Sequence, residues 1–212
     1  KNFISGGQMN FGVAPDIGRS GLQIGFPLDL LNDVDTSNTI DGKLIVYWIN
    51  QHGRQVPPNA GYVMLINCTN ILIEGLNLSH NVQNIFVLST NNTIIANNSI
   101  TNSVYGIDVR GVWCFFGTYV QELASFNTSV RDNMLVDNAV GIRLRSNGST
   151  ILNNTLHENP LGISLQDTSN SIISKNMIAA SDMNMTYAGP LLFIFYYPEL
   201  PWERARELIV LQ

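Results

Sequence analysis

The stretch "VGIRLRSNGSTILNNTLHEN", residues 140–159, is followed directly by "PLGISLQDTSNSIISKNMIAAS", and the second restates the first. Gly141 recurs as Gly162, Ile142 as Ile163, Leu144 as Leu165 and Asn154 as Asn176, an offset of 21 to 22 residues. A fixed period of this length constrains the fold more than any other feature, because each unit can bury its apolar face only against its neighbours. Walking back, Gly106, Asn84 and Tyr62 stand 22 residues apart. The step from Gly106 to Gly141 is 35, so that turn carries an insertion of about 13 residues, over about 112–126. Five regular turns are expected over residues 62–181.

Within a turn, apolar and polar residues alternate over short runs, as at Ile142-Arg143-Leu144-Arg145. Alternation at period two specifies half-buried strands, and the Asn, Gly, Ser and Asp residues between runs favour turns with left-handed backbone. No segment of these turns carries a helical period. Three short strands per turn, repeated in register, predict an all-β parallel β-helix of about 22 residues per turn. Ile40 lies 22 residues before Tyr62 and suggests an earlier, irregular turn, with "NFISGGQMNFGV" as the remains of another. Residues 1–181 form the solenoid in this reading, and 182–212 a C-terminal cap or assembly segment. A strand is expected at Leu191–Tyr197 and a short helix from Pro201 to about Leu211.

The chain holds 26 Asn against three Lys. Stacked turns lie roughly 4.8 Å apart, a spacing at which identical amides can bond up and down a file. One such file is expected at Asn98, Asn133, Asn154 and Asn176, broken in the first turn by Leu76. A second polar file runs through Asn81, Ser103, Asn138, Asn159 and Ser181 at a corner. The net charge of −5 and a pI near 5.0 argue against a nucleic-acid partner, which needs a basic face. The longest apolar run, Leu191, Leu192, Phe193, Ile194, Phe195, Tyr196 and Tyr197, is too short to span a bilayer. It is expected either to cap the last turn or to add as a strand to a neighbouring subunit.

"DTSNTIDGKLIVYW", "AGYVMLINCTNILIEGLNLSHN" and "NNTIIANNSITNSVYGI" resemble the NosD-type parallel β-helix repeat proteins, and the likeness covers most of residues 35–181. Related segments occur in archaeal cell-surface and secreted proteins. The resemblance implies a right-handed β-helix and an extracytoplasmic, cell-surface or extracellular location. It implies little about chemistry, because one fold hosts unrelated functions.

No signal peptide is visible ahead of Lys1. Sequons at Asn67, Asn77, Asn91, Asn97, Asn127, Asn147, Asn153 and Asn184 are candidate glycosylation sites. Cys68 and Cys114 are either one disulfide or two unpaired thiols. On the outer face of the first strand, one column reads Phe86, Asp108, Arg143, Ser164 and its neighbour Leu88, Arg110, Arg145, Gln166. Asp108 and Arg143 should pair, and Arg110 and Arg145 need a carboxylate or anion between them. With Trp113 of the insertion, Asp108, Arg110, Arg143 and Arg145 form a candidate carbohydrate site; the plainer reading is a salt-bridge ladder.

The only acidic residues near this face, Asp108 and Asp167, do not make the separated pair an inverting glycosidase uses, so a non-enzymatic protein without cofactor or metal is expected. Soft-metal candidates for a copper role are His80, His157, Met177, Met183 and Met185; the two histidines fall at different phases of the repeat, and Met183 and Met185 are assigned to packing the cap. His52 and Arg54 read as a surface loop. The leading expectation is a structural or interaction protein, partnered by itself, by other surface proteins or by a glycan, with self-assembly through its ends into a surface layer or filament; the alternatives are a carbohydrate-binding or polysaccharide-cleaving module and a copper-handling accessory protein.

Overall fold

A computed structural model describes the backbone of residues 1–13, 30–116, 119–179, 192–195 and 209–211, and the side chains of these except 112–122, 192–195 and 209–211. Each repeat lays down three strands, and like strands of successive turns pair in parallel. The first sheet stacks Lys43–Ile49, Ala60–Ile66, Gln83–Leu88, Tyr105–Arg110, Val140–Leu144 and Leu161–Gln166. The second stacks Leu72–Glu74, Ile94–Ala96, Ser129–Arg131, Thr150–Leu152 and Ser171–Ser174. The third stacks Asn77–Ser79, Ser99–Thr101, Met134–Val136, Thr155–His157 and Met177–Ala179. This is a parallel β-helix.

The register follows the repeat. Ile85, Ile107, Ile142 and Ile163 face one another in the first sheet. Ile73, Ile95, Val130, Ile151 and Ile173 do so in the second. Leu78, Ile100, Leu135, Leu156 and Ile178 complete the interior from the third. The recurring glycines stand where backbones crowd: a Cβ on Gly141 would lie 2.7 Å from both the Gly162 carbonyl oxygen and Leu156 Cδ2.

The interior amides stand in single file. Asn98, Asn133 and Asn154 each donate both backbone N–H and side-chain Nδ2 to the Oδ1 of the next asparagine, at 2.9–3.0 Å throughout. Leu76, which has no amide, still donates its backbone N–H to Asn98 Oδ1 at 2.9 Å. Each Nδ2 also reaches a backbone carbonyl, for example that of Val130 from Asn154. The file turns the chain at the corner between the second and third sheets and satisfies the backbone groups that the corner leaves out of the ladders. The corner file repeats the device, with Ser103 Oγ on Asn138 Oδ1 at 2.6 Å and both Asn138 nitrogens on Asn159 Oδ1 at 3.0 Å. Ser181 lies outside the described residues. A third file, of hydroxyls, was not read from the sequence: Thr128 N–H donates to Ser149 Oγ and Ser149 N–H to Ser171 Oγ, both at 3.1 Å.

Many of the remaining asparagines are corners. Among the described residues, seventeen non-glycine residues have positive φ, nine of them Asn. Asn70, Asn92, Asn127, Gly148 and Asn170 occupy one corner column; Gly75, Asn97, Asp132, Asn153 and Lys175 another. Asn and Asp enter the left-handed region more readily than other side chains.

The structure departs from the sequence reading at both ends. Ile45, not Ile40, faces Tyr62, so the earliest turn is five residues shorter than the 22-residue alignment of Ile40 with Tyr62. The cause is Pro57 and Pro58: proline cannot donate to a ladder, so this turn omits the third-sheet strand and returns directly to Ala60. At the N-terminus, Phe3–Ile4 pairs in parallel with Thr39–Ile40 at the sheet edge. Residues 10–13 then run over the outside, Asn10 N–H donating to the His80 carbonyl and Val82 N–H to that of Phe11. At the C-terminus, Leu192–Phe195 pairs with Ile163–Gln166 of the same chain, the capping arrangement. Ile209–Leu211 is a strand on Ser171–Ile173, not the end of a helix, because the open edge of the second sheet offers its residues ladder partners. Leu191, Tyr196, Tyr197 and the rest of the expected helix lie outside the described residues.

The outer face of the first sheet is apolar in its early turns. Tyr62, Met64, Ile66, Phe86 and Leu88 are fully buried there, packed by Ile4, Phe11, Val13 and Val34. Phe11 meets Tyr62 edge-on, with ring centroids 4.8 Å apart, and the Tyr47 hydroxyl donates to the Leu30 carbonyl at 2.6 Å. Burial, with smaller contributions from Tyr47 and Asp108, pushes the Tyr62 phenol far above its ordinary value.

Two outcomes are expected. Asn154→Ala removes an acceptor and a donor from a buried file and should cost about 2–4 kcal/mol by denaturant titration; Asn153→Gly, at an exposed left-handed corner, should change stability by less than about 1 kcal/mol. Second, the unfolded phenol of Tyr62 ionises near pH ~10 while the folded one stays neutral, so folded stability should hold below that pH and fall as pH rises beyond it, as measured by denaturation midpoints across the alkaline range.

Candidate functional site

The charged cluster expected on the first sheet is assembled. Parallel register sets Asp108 between Phe86 and Arg143, and Arg110 opposite Leu88. Arg143 grips Asp108 with two nitrogens, Nε to Oδ1 at 2.8 Å and Nη2 to Oδ2. Arg110 Nη2 reaches the same carboxylate at 3.0 Å, and Arg145 Nη2 reaches Asp167 Oδ2 at 3.0 Å. The like charges of Arg110 and Arg145 are thus each answered by a carboxylate. The guanidinium of Arg143 stacks 3.9 Å from the Tyr105 ring centroid, and that of Arg110 lies 4.7 Å from Phe86.

Burial dominates the electrostatics. Asp108 is fully buried, and the side chains of Arg110, Arg143 and Arg145 are only 14–15% exposed. Burial pulls the Arg110 pKa down, partly offset by Asp108; in Arg143 burial is outweighed by the bonds and charge of Asp108, which push its pKa up. Both stay charged at neutral pH. Trp113 lies in a hairpin, Val112–Phe116 against Tyr119–Leu123, that leaves the solenoid directly after Arg110; its side chain lies outside the described residues. Asp108 has no exposed surface, and its ion pairs form a buried ladder joining successive turns.

The other candidates separate. Cys68 is a free thiol, so no disulfide joins it to Cys114. It fills an interior position above Thr90, whose hydroxyl accepts the Cys68 N–H at 3.1 Å, and burial pushes its pKa up. Cys114 stands in the outer hairpin, opposite Gln121. His52 and Arg54 are exposed, as a surface loop requires, with Arg54 lying 4.4 Å from the Trp48 ring.

Four sequon residues, Asn67, Asn97, Asn127 and Asn153, are left-handed corners whose Nδ2 donates to the preceding turn, at Asn50, Glu74, Asn92 and Asp132. Asn91 and Asn147 instead accept backbone N–H bonds, from Phe126 and Ser169. Asn77 is an exposed strand residue, and Asn184 lies outside the described residues.

His80 is an exposed corner and His157 an outward residue of the third sheet, so they do not meet. Among the described residues no three His, Cys, Asp or Glu side chains gather into a metal site. Thioethers fare differently: Met134 and Met177 both project from the third sheet that carries His157. Met183 and Met185 lie outside the described residues. No helix among the described residues is long and apolar enough to cross a membrane.

An Asn-laddered, three-sheet parallel β-helix defines the class. Residues 36–189 match the model of the family described as periplasmic copper-binding protein (NosD), and the chain belongs to that family. This is a periplasmic family, which sets the chain in an extracytoplasmic compartment. No curated protein and no solved structure matches the chain.

The buried ladder gives a direct outcome. Asp108→Ala strands two arginines in a largely desolvated site and should cost about 3–5 kcal/mol. Replacing Asp108, Arg110 and Arg143 together by apolar residues of similar volume should recover most of that loss, as read from denaturant midpoints.

Proposed function

We propose that this chain is a non-enzymatic, extracytoplasmic interaction module that meets its partner through the outer faces of its second and third sheets. The observation that carries this is an asymmetry of cover. The outer face of the first sheet is spent: its apolar half is buried beneath the chain's own N-terminal residues, and its charges are paired with one another. The other two sheets leave Ile94, Met134, Leu152, Ile172 and Met177 between 37% and 60% exposed, among Thr, Ser and Asn side chains. Large side chains left open on a rigid, flat wall are characteristic of a recognition surface.

The state of the acids supports a binding rather than a catalytic role. A glycosidase needs a carboxyl group able to hold or release a proton. Asp108 is held by two arginines and Asp167 by one. Pairing of Leu192–Phe195 within the chain favours a protein that caps its own last turn over one that hands this strand to a neighbour. A cell-surface assembly then arises by lateral contact with another protein or a glycan.

Two measurements test the reading. A photo-crosslinker attached at Thr150→Cys or Thr155→Cys, on the open sheets, should capture a discrete partner in the native compartment, and one at Ser37→Cys should not. Incubation with a panel of polysaccharides should release no new ends. Turnover of any of them, or glycan binding abolished by Arg145→Ala, would overturn the proposal in favour of a carbohydrate-active site.

A further inference from the structure

Seven sequon asparagines fall within the described residues, and the fold treats one of them differently. Asn67, Asn97, Asn127 and Asn153 each commit Nδ2 to an acceptor on the preceding turn, at 2.7–3.2 Å. Their backbones are tied as well: the Asn97 N–H donates to the Arg131 carbonyl of the next turn, while the Ala96 carbonyl accepts from Gly75 of the turn before. Asn91 and Asn147 accept backbone N–H bonds through Oδ1, and the hydroxyl residues of their sequons, Thr93 and Ser149, are buried. Asn77 does none of this. It is exposed, and its carboxamide bonds to no other described residue. Leu78 points into the core, so Asn77 and Ser79, the first and third residues of the sequon, share the outer face. Their strand is also the N-terminal edge of the third sheet. It pairs with Ser99–Thr101 and, because the preceding turn omits a third-sheet strand, with no other described strand. On that open edge the Asn77 carbonyl accepts from Nζ of Lys43, a flexible side chain, at 2.6 Å.

We propose that Asn77 is the sequon of the folded chain that accepts an N-linked glycan, and that the glycan closes the open edge of the third sheet. The donor is a polyprenyl-diphosphate-linked oligosaccharide, brought by an oligosaccharyltransferase. Asn77 Nδ2 attacks the anomeric carbon; the new C–N bond forms as the C–O bond to the diphosphate breaks. Nδ2 gives up one proton to a base of the transferase, and the polyprenyl diphosphate leaves. An amide nitrogen shares its lone pair with the carbonyl and must turn out of conjugation to attack, so an amide already bonded to the next turn has first to lose that bond. The transferase must also grip the sequon backbone, and an edge strand presents free N–H and C=O groups without any unfolding. The product is a bulky, solubilising chain on the outer face. Unpaired edges invite strand addition, and a glycan at Asn77 prevents by bulk what Lys43 opposes by charge. Ser99, Met134, Thr155 and Met177 follow Asn77 in one column at steps of about 4.8 Å, so the glycan stands at one end of the open wall and not across it.

The test uses the full chain carrying Asn184→Gln, which confines acceptors to the described sequons. The folded protein is incubated with a single-subunit oligosaccharyltransferase that accepts the plain Asn-x-Ser/Thr sequon and with a polyprenyl-diphosphate-linked N-acetylglucosamine disaccharide. A proteolytic digest of the same protein is treated alongside, and occupancy at each sequon is read by mass spectrometry. The folded chain should gain one glycan, at Asn77, with the corner sequons modified at least about tenfold more slowly because they react only from locally opened turns. In the digest that preference should vanish. Asn77→Gln, checked for an unchanged circular dichroism spectrum, should leave the folded chain unmodified. A folded chain that stays unmodified at Asn77, one that takes the glycan at Asn97 or Asn153 as readily, or a digest with the same preference as the folded chain would overturn the proposal.

Discussion

The bond between one turn and the next at an interior corner governs this molecule. A chain that coils into three sheets must bend between them, and each bend takes backbone N–H and C=O groups out of the strand ladders. In an apolar interior each such group would cost about 1–3 kcal/mol if left unmet. Asn98, Asn133, Asn154 and Asn176 answer this with one side chain per turn, whose oxygen accepts from the turn before, twice in all but Asn98, and whose nitrogen finds a carbonyl. The arrangement works only if the turns are in register, so the file fixes the register as well as satisfying it. The apolar columns alone would tolerate exchange of Ile, Leu and Val between turns.

That register decides what the outside can be. Because like positions stack, a charged residue on one turn must be met by its neighbour on the adjacent strand, by a residue two along its own strand or by one at a strand end, and Asp108, Arg110, Arg143, Arg145 and Asp167 are arranged in this way. The same geometry gathers exposed methionines and a histidine from separate turns onto one wall. A buried ionic ladder is a poor place for ligand chemistry, while an open wall is a good one. On the proposed reading, the first sheet serves stability and the second and third serve recognition.

Much of this was legible in the sequence. The period gave the strand columns, the insertion after Arg110 and the asparagine file, since each depends only on spacing. The Asp108–Arg143 pair followed from the same alignment. What escaped notice depended on local exceptions. Pro57 and Pro58 shorten the earliest turn, which displaced the alignment of Ile40. The hydroxyl file of Thr128, Ser149 and Ser171 was hidden because Ser and Thr are equally common in exposed turns. The burial of Asp108 was not legible, since the alternation that places it beside Arg110 and Arg143 reads equally as a solvated ladder. Met134 and Met177 each lie one turn from Thr155, and the period alone sets them in line.

Hydrogen exchange of the side-chain amides tests the central claim most directly. In two-dimensional NMR the Nδ2 protons of Asn98, Asn133 and Asn154 should exchange only with global unfolding, slower by orders of magnitude than those of exposed Asn77. Exchange of all four at one common, fast rate would contradict the stacked file and, with it, the register on which the paired charges and the open wall depend.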